Sequence, residues 1–478
     1  MPKKIINKVV EKKASRKPRN FTRLRGMKDI LFEEHKYWDL VERKTRDLAR
    51  IYGFNRISTP ILEKLDMYER STGKETDIVS KEMYSFVDKS GDKVALRPEA
   101  TPGLVRAYIE HGMFNHPQPV KMFWFGPCFR HDKPQSGRYR QFTQFDLEMY
   151  GEEGPVADSQ LILIAYNFFS ELQINVQVQI NSIGCRDCRV AYIKKLTEFY
   201  KERGKRSRLC NDCKKRFLKN PLRLLDCKEE TCREIREDAP QIVDFLCDSC
   251  REHFIKVLEY LDDLEVPYAL NPFLVRGLDY YNRTVFEVVA LDEEKSFENK
   301  TEEVVEASVE SEVEVSEEEV EENEPGNVSG RKLLSLGGGG RYDGLVEYMG
   351  GRPTPACGFG IGIERVIMKI KEKNIPLKAE DENILFLAQL GDQAKRKIFA
   401  LFEEMRRSGY HVRQAFTKNS LKAQLEEANR LNAKYCLILG QKELMDETIL
   451  IRDMESGTQE VVDFKKIYTE IDKRLKNN

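Results

Sequence analysis

Eight of the eleven cysteines in this chain lie between residues 185 and 250, in four closely spaced pairs. Two thiolates separated by two residues can reach one ion from a tight turn, and a tetrahedral zinc ion takes two such pairs. The spacing therefore predicts a module that folds around two structural zinc sites of four thiolates each, with no open position for water or substrate. The four pairs are Cys185 and Cys188, Cys210 and Cys213, Cys227 and Cys232, and Cys247 and Cys250.

Disulfides are the usual alternative role for clustered cysteines, but they belong to exported proteins, and the basic N-terminal sequence lacks the apolar stretch of a secretory signal. That these cysteines are small core residues or idle thiols stays an open alternative. Because the two ends of an inserted module lie close together, we assign the ligands in nested order. One predicted site takes Cys185, Cys188, Cys247 and Cys250, and the other takes Cys210, Cys213, Cys227 and Cys232.

The length of the chain, 478 residues, exceeds what one ordinary core holds, since a domain usually takes roughly 100 to 200 residues. With 40% hydrophobic and 33% charged residues the chain can bury a core. No run approaches the roughly 18 apolar residues that a membrane span needs. We therefore expect a cytoplasmic protein of several domains that does not associate with membranes.

Charge is divided unevenly along the chain, although its net charge is only -1. Residues 1–20 hold eight Lys/Arg against one Glu, which predicts a basic disordered tail. Residues 291–325 hold sixteen Asp/Glu against two Lys, so we expect a solvated, disordered acidic loop rather than a strand. The remaining balance is positive, which is compatible with a polyanionic partner without indicating one.

Periodicity and composition predict single helices and strands, and these in turn divide the chain into five segments. Apolar residues at helical spacing indicate a long helix that ends before Gly53, residues 120–151 indicate a long hairpin, and residues 274–290 indicate a strand. After residue 383 strands alternate with helices, which is typical of a separate α/β domain. The predicted division is a tail (1–20), a first part of the main domain (21–184), a cysteine module (185–252), a second part of the main domain with the acidic loop at 291–330 (253–380), and a last domain (383–478).

Arginines in strand-rich and glycine-rich surroundings are the candidates for chemistry. No P-loop, HExxH or GxSxG pattern occurs, which disfavours the common ATPase, zinc-protease and hydrolase sites. A guanidinium keeps its charge and binds phosphate oxygens in pairs, so several of them together suit a polyphosphate substrate. Taken singly, each such arginine is more often a surface ion-pair residue, and only the group together indicates a phosphate site. The candidates are Arg130, Arg138, Arg140, Arg276, Arg341 and Arg365.

Five motifs in one order resemble the histidyl-tRNA synthetase family. Residues 130–148 and the sequence GFGIGIER at 358–365 resemble motifs two and three of the class II aminoacyl-tRNA synthetases. LVRGLDYYNRTVFEV at 274–288 and GGGRYDGL at 338–345 resemble the two signatures of the histidyl family. RPEATPG at 97–103 fits its amino-acid loop, and residues 55–73 fit the dimer-forming first motif. Residues 420–440 resemble its anticodon-binding module.

The resemblance implies an α+β fold. Residues 21–184 and 253–380 would form the two parts of a catalytic domain with a six-stranded antiparallel sheet, and the cysteine module would be inserted between them. A C-terminal α/β anticodon-binding domain would follow. It implies an enzyme that activates L-histidine with ATP and Mg²⁺ and transfers histidine to the 3' end of tRNA(His), acting as a homodimer. The alternative is a non-catalytic, synthetase-like regulatory subunit of histidine biosynthesis. Such paralogues tend to lose the catalytic arginines and the anticodon domain, both of which this chain keeps.

The resemblance also assigns roles to single residues. Arg130 and Arg276 correspond to the catalytic arginines at the α-phosphate, and Arg130, Arg138 and Arg365 to ATP-binding residues. The histidine pocket corresponds to Glu99, Thr101, Gln144, Glu148, Tyr280 and Tyr281. These residue types suit the ligand, because an ammonium group favours carboxylates and imidazole nitrogens need buried hydrogen-bond partners.

Several features depart from the family pattern. Lys133 stands where a second arginine is expected, and Thr143 stands where a histidine is usual. The acidic run separates the two histidyl signatures, which a short connection normally joins. The basic tail lies outside the family's core. It is either a disordered arm without a function or an additional attachment to tRNA, since phosphate contacts are additive.

Overall fold

The computed structural model describes residues 21–202, 204–291, 334–376 and 383–476. The predicted basic tail and, apart from residue 291, the predicted acidic loop lie outside the described residues. The chain divides into two units, residues 1–376 and 377–478, and each is described by itself.

A large mixed sheet forms the centre of the first unit, in the order β1-β5-β6-β11-β10-β9-β7-β8. Its six inner strands are antiparallel, as predicted, and a short parallel strand is added at each edge. A separate small sheet has the order β2-β4-β3. In chain order the strands are β1 (Asn55–Arg56), β2 (Leu62–Lys64), β3 (Ser85–Val87), β4 (Lys93–Leu96), β5 (Val120–Phe129), β6 (Gln141–Tyr150), β7 (Val176–Ser182), β8 (Tyr268–Leu270), β9 (Asn282–Ala290), β10 (Ser335–Arg341) and β11 (Ala356–Gly362).

The predicted hairpin of residues 120–151 is present as β5 and β6, which pair over ten residues each. Successive side chains of a strand point to opposite faces, so β6 turns Phe145 and Leu147 to one face and Gln144, Asp146 and Glu148 to the other. On the apolar face the Phe145 ring lies 5.6 Å from that of Phe168 in a covering helix. The polar face of β6 is thereby left for the functional site.

Helices cover the apolar face and build the inserted module. The predicted long helix is α1, and α5 to α9 belong to the module and its exit from the sheet. In chain order the helices are α1 (Phe32–Ile51), α2 (Leu65–Tyr68), α3 (Thr101–Glu110), α4 (Pro155–Glu171), α5 (Arg186–Lys201), α6 (Lys205–Arg208), α7 (Asn211–Lys219), α8 (Glu230–Glu237), α9 (Asp248–Asp263), α10 (Leu345–Tyr348) and α11 (Ile363–Glu372).

The predicted strand at 274–290 is shorter in the structure, because β9 begins only at Asn282. Residues 271–281 form a loop that crosses the open face of the sheet. The Asn181 side chain donates to the carbonyls of Pro272 and Leu274, at 3.3 and 3.1 Å. These tertiary hydrogen bonds replace the ladder bonds that a strand would have made, and a sequence pattern does not reveal them.

The second unit is the predicted alternation of strands and helices. Strands β12 to β14 pair in parallel in the order β13-β12-β14, and β15 and β16 extend the sheet antiparallel. Strand β16 escapes the sequence pattern because only Val462 of its residues is buried. The elements are β12 (Leu385–Gln389), α12 (Asp392–Arg407), β13 (Val412–Gln414), α13 (Leu421–Arg430), β14 (Tyr435–Leu439), α14 (Gln441–Met445), β15 (Thr448–Asp453), β16 (Gln459–Asp463) and α15 (Ile467–Lys476). Within the described part of the chain, every helix is too short or too polar to cross a bilayer.

A buried ion pair fastens the end of β10 to helix α4. The Arg341 side chain is fully buried, and its Nε and Nη2 both donate to Asp158 Oδ2, at 3.0 and 2.5 Å. Its Nη1 donates to Asp343 Oδ1 at 3.0 Å. Burial pushes the pKa of Asp158 upward, but Arg341 and His253 more than reverse this, so the pKa lies below its ordinary value. Arg341 is thus a structural residue and is not one of the phosphate-binding arginines that the sequence suggested.

We expect Arg341→Ala to lower the free energy of unfolding by about 3–5 kcal/mol, because it leaves the buried Asp158 carboxylate without its guanidinium partner. Urea unfolding followed by the fluorescence of Trp38 and Trp124, both in the first unit, measures this. Arg46→Ala is the control, since Arg46 forms an exposed pair with Glu42 and should contribute less than about 0.5 kcal/mol. A loss below about 1 kcal/mol for Arg341→Ala would contradict the assignment.

Candidate active site

A cavity of about 1060 Å³ lies over the polar face of the large sheet, under the 271–281 loop and beside the cysteine module. Its floor is made of glycines at facing positions of β10 and β11, where Gly338 pairs with Gly360. A Cβ on Gly338 would lie 2.7 Å from Arg276 Nη1, and one on Gly360 would lie 2.1 Å from Asp146 Oδ1. The glycines therefore let charged side chains of the neighbouring elements reach across the floor.

Glu99 lies just before α3 and is buried at one side of the cavity. Thr72 and Tyr280 donate to its two carboxylate oxygens, at 2.6 and 2.7 Å. Burial raises the pKa of Glu99, and these two hydrogen bonds work against that rise, as do Arg130 and Arg276 nearby. Glu99 thus presents an oriented, weakly solvated carboxylate to the cavity.

Glu148 lies on β6, and it is also buried. Thr101 Oγ1 donates to its Oε1 at 2.7 Å, and the Tyr342 hydroxyl donates to its Oε2. Burial raises the pKa of Glu148 to about 8. Tyr280 and Tyr281 lie beside it, with ring centroids 4.8 Å apart, and burial raises the pKa of Tyr281 to about 12. A ring-shaped ligand with polar nitrogens could lie between these aromatic faces and the carboxyl group.

The predicted arginines are divided between the cavity and its surroundings. Arg276 lies 3.5 Å from Glu287 Oε1 and 5.9 Å from the centre of the Tyr281 ring. Arg130 donates to the Pro98 carbonyl at 2.9 Å and lies over the Phe142 ring. Arg365 donates to the Gly137 carbonyl at 3.0 Å, and Arg138 pairs with Asp132 at the rim. These four line the cavity.

Arg140 and Arg341 do not line it. Arg140 donates to the carbonyls of Asp132 and Arg25, both at 3.3 Å, and so holds the loop of the β5-β6 hairpin. Of the predicted histidine-site residues, all six line the cavity. They are Glu99, Thr101, Gln144, Glu148, Tyr280 and Tyr281.

The cavity also holds acids that the sequence motifs did not indicate, among them Asp146, Glu287 and Glu364. Asp146 is buried between Gln144 and Glu148 on the same face of β6, and its Oδ2 has no hydrogen-bond partner among the described residues. Burial and Glu148 raise the pKa of Asp146. Glu287 approaches Arg276, and Glu364 accepts from the Thr143 amide at 2.7 Å, where burial raises its pKa to about 7. The alternation of β6 would have revealed Asp146, whereas Glu287 and Glu364 depend on strand order.

The eight module cysteines gather as two groups of four sulfur atoms, and within each group the ligand atoms lie within 4.8 Å of one another. The nested order predicted from the sequence is the order that the structure has. The base group comprises Cys185, Cys188, Cys247 and Cys250, and the cavity group comprises Cys210, Cys213, Cys227 and Cys232. Tetrahedral thiolate coordination of a zinc ion suits such a donor set.

Two family models match the chain. One, described as histidyl-tRNA synthetase, matches residues 26–298, and one described as an anticodon binding domain matches residues 375–474. Proteins named histidine–tRNA ligase from Natranaerobius thermophilus and Pelotomaculum thermopropionicum are 40% and 41% identical to this chain. Each alignment covers 92% of this chain, with 96% and 95% of the respective relative.

A solved structure is similar to this chain as well. The crystal structure of apo S. aureus histidyl-tRNA synthetase superimposes with a TM-score of 0.73 at 31% sequence identity. The superposition covers 94% of this chain and 98% of that one. The similarity therefore extends over both units and over the module.

The raised pKa of Glu148 predicts a pH-dependent difference in stability. Between its ordinary value of 4.5 and about 8, the folded protein keeps a proton on Glu148 that the unfolded chain has released. Ionisation of this buried group therefore costs stability as the pH rises. We expect Glu148→Gln to gain stability relative to the unsubstituted protein between pH 5 and 8.5, by up to a few kcal/mol at about 1.4 kcal/mol per pKa unit.

Urea midpoints from tryptophan fluorescence at several pH values test this expectation. Glu110→Gln is the control, since Glu110 lies at the end of α3 with a side chain that is 60% exposed, and this variant should show no comparable change with pH. A difference between Glu148→Gln and the unsubstituted protein that is constant from pH 5 to 8.5 would contradict the raised pKa.

Proposed function

Because this chain belongs to the histidyl-tRNA synthetase family, we propose that it is an active histidine–tRNA ligase, which uses ATP to join L-histidine to tRNA(His). The observation that carries this proposal is the cavity, where two buried carboxyl groups and two polar aromatic residues face four arginines across a floor without side chains. That arrangement suits an amino acid at one end and a polyphosphate at the other.

The alternative, a regulatory subunit of histidine biosynthesis that binds histidine without activating it, is not favoured. The relatives that match over more than nine tenths of this chain are named histidine–tRNA ligases. Arg130, Arg276 and Arg365 all line the cavity, and a unit that matches the anticodon-binding model is present. A protein that only bound histidine would have no use for either feature.

In the activation step an oxygen of the histidine carboxylate attacks the α-phosphorus of ATP, and the bond to the pyrophosphate leaving group breaks. Negative charge grows on the α-phosphate oxygens in the transition state. We assign Arg276 and Arg130 to these oxygens, since both lie near Glu99 at the amino-acid end of the cavity. We assign Arg138 and Arg365, which lie further out around Gly137, to the rest of ATP, which enters as its Mg²⁺ complex.

The orientation of histidine follows from the two buried acids. Its carboxylate must lie at the arginines, so its ammonium group lies at Glu99, which is within electrostatic reach of Arg130 and Arg276. Its imidazole then reaches Glu148, between Thr101 and the tyrosines. Gln144, whose Oε1 has no partner among the described residues, accepts from the ligand. An amino acid without ring nitrogens would leave the buried Gln144 Oε1 without a partner, and this gives discrimination.

The second unit supplies the tRNA contact, because residues 375–474 match an anticodon-binding model. We assign homodimer formation to the first-motif segment and the small sheet. Four large apolar side chains are exposed there, at 43–61% of their full accessibility, and pairing would cover them. They are Ile61, Leu62, Phe86 and Val87. The five-segment division, the cytoplasmic location and the tRNA role of the basic tail remain proposals.

We expect Arg276→Ala to slow histidine-dependent exchange of pyrophosphate into ATP by at least about 100-fold, which corresponds to about 3 kcal/mol of transition-state stabilisation. The apparent affinity for histidine should change much less, because the charge that Arg276 meets is greatest in the transition state. Lysine at this position should restore activity only in part, since it lacks the two-pronged contact. Exchange by the alanine variant at nearly the original rate would refute the assignment.

The cysteine groups fit zinc, and we expect protein prepared without chelator to contain about two zinc ions per chain by elemental analysis. Each group offers four sulfur donors and leaves no position for a substrate, so the ions would be structural. A content below about half an equivalent per chain would show that the thiols are free.

A further inference from the structure

The two cysteine groups differ in their relation to the cavity. Cys210 and Cys227 of the cavity group line it, together with Arg216 and Arg223 from the same part of the module. The base group does not line it and packs instead against Leu246 and Val243 at the root of the module. A metal ion in the cavity group would therefore lie in the wall of the active site.

Polar contacts fasten this part of the module to the segment at 72–82. Arg216 Nη2 and Arg223 Nη2 both approach Asp77 Oδ2, at 3.1 and 3.5 Å. The same two arginines pair with Asp226 of the module, and Lys219 pairs with Glu75. Asp77 is one of the points where the module meets the catalytic part, and its carboxylate is shared by these two guanidinium groups and the Lys81 ammonium group.

A second set of contacts fastens the module to the 271–281 loop. Asn220 Nδ2 donates to Asp279 Oδ1 at 2.8 Å, and the Asp279 amide donates to the Thr72 carbonyl at 3.4 Å. Gly73 has a φ of +100°, and a Cβ there would lie 2.4 Å from Asp279 Oδ2. The loop, the 72–82 segment and the module thus meet at Asp279.

The two fastened segments carry the groups that orient Glu99 and the phosphate. Thr72 and Tyr280 make both hydrogen bonds to the Glu99 carboxylate. Arg276 lies in the same loop as Tyr280. A shift of either segment would change the geometry of the amino-acid site directly, and a misplacement of about 1 Å can cost on the order of 100-fold in rate.

The cavity-group cysteines hold together the elements that make these contacts. Cys210 is the N-cap of α7 and Cys213 lies in its first turn, while Cys232 lies in α8 and Cys227 precedes that helix. Apolar residues of this stretch, among them Phe217 and Ile235, are buried in the main core. A metal ion bound by all four thiolates would in addition cross-link α7 to α8. The described cysteines form no disulfide.

We propose that a zinc ion in the cavity group is a positioning element of the histidine-activating site, because it holds Arg216, Arg223 and Asn220 against Asp77 and Asp279. The inference rests on the proposed function and adds a specific dependence of it on one of the two metal sites. Arg223 is then a positioning residue, which acts on histidine through the 72–82 segment and the 271–281 loop.

The test compares two matched pairs of substitutions, Cys227→Ser with Cys232→Ser and Cys247→Ser with Cys250→Ser. Each double variant should keep about one zinc ion per chain. We expect loss of the cavity group to lower kcat/KM for histidine in pyrophosphate exchange at least tenfold, while loss of the base group changes it less than threefold. Hydrogen exchange by mass spectrometry should rise in segments 72–82 and 271–281 in the first variant alone.

Arg223→Ala decides the matter if the cavity-group variant does not fold. This variant should retain both zinc ions. It should raise KM for histidine and lower kcat, so that kcat/KM falls at least tenfold. KM for ATP should change less than threefold, because Arg365 is held separately by Gly137. Arg208→Ala is the control, since Arg208 pairs with Glu234 on the exposed module surface and should leave all three constants nearly unchanged.

The inference is overturned if Arg223→Ala leaves kcat and KM for histidine unchanged, or if both cysteine pairs affect exchange equally. Failure of the proposed function gives a different result. The unsubstituted protein would then show no histidine-dependent pyrophosphate exchange, although its zinc content and the hydrogen-exchange differences between the variants would remain as described.

Discussion

The close approach of charged side chains over a floor of glycines is the constraint on which the rest of the site depends. Glycine in a strand interior costs roughly 0.5–1 kcal/mol relative to alanine, and β10 and β11 each hold several. Strands β10 and β11 lie in the middle of the large sheet, and the pairing of each with a strand on both sides offsets this cost. Because Gly338 and Gly360 have no Cβ, Arg276 and Asp146 can lie directly on the backbone. Any larger residue there would displace the Arg276 and Asp146 side chains.

The polar cavity wall is built from groups that the fold removes from water. Burial keeps water from the Glu99 and Glu148 carboxyl groups, and this incomplete solvation raises the pKa of both. Arginine keeps its charge in such surroundings, which makes it suitable opposite a triphosphate. The cavity therefore has buried carboxyl groups at one end and arginines at the other, and a ligand with an ammonium group, an imidazole and phosphates would pair with both ends.

The inserted module also supports the catalytic part. Its Arg216 and Arg223 meet at Asp77, and its Asn220 meets Asp279, so that it supports two segments of the catalytic part. The two cysteine groups share a chemistry but not a position, since the base group closes the root of the module. Only the cavity group contributes residues to the cavity wall, and for this reason its loss should affect activation more than the loss of the base group.

Motif order indicated six candidate residues for a histidine site, and all six line one cavity. Local patterns in the sequence were sufficient for the hairpin, the alternating second unit and the nested cysteines, because spacing and periodicity are properties of the chain itself. They were not sufficient for Arg341, whose buried partner Asp158 lies far away in the chain. They also failed for the 271–281 loop and for Glu287, which depend on strand order and on hydrogen bonds from Asn181. The fold alone brings together residues distant in sequence, and only that proximity decides whether an arginine holds the core or faces a ligand.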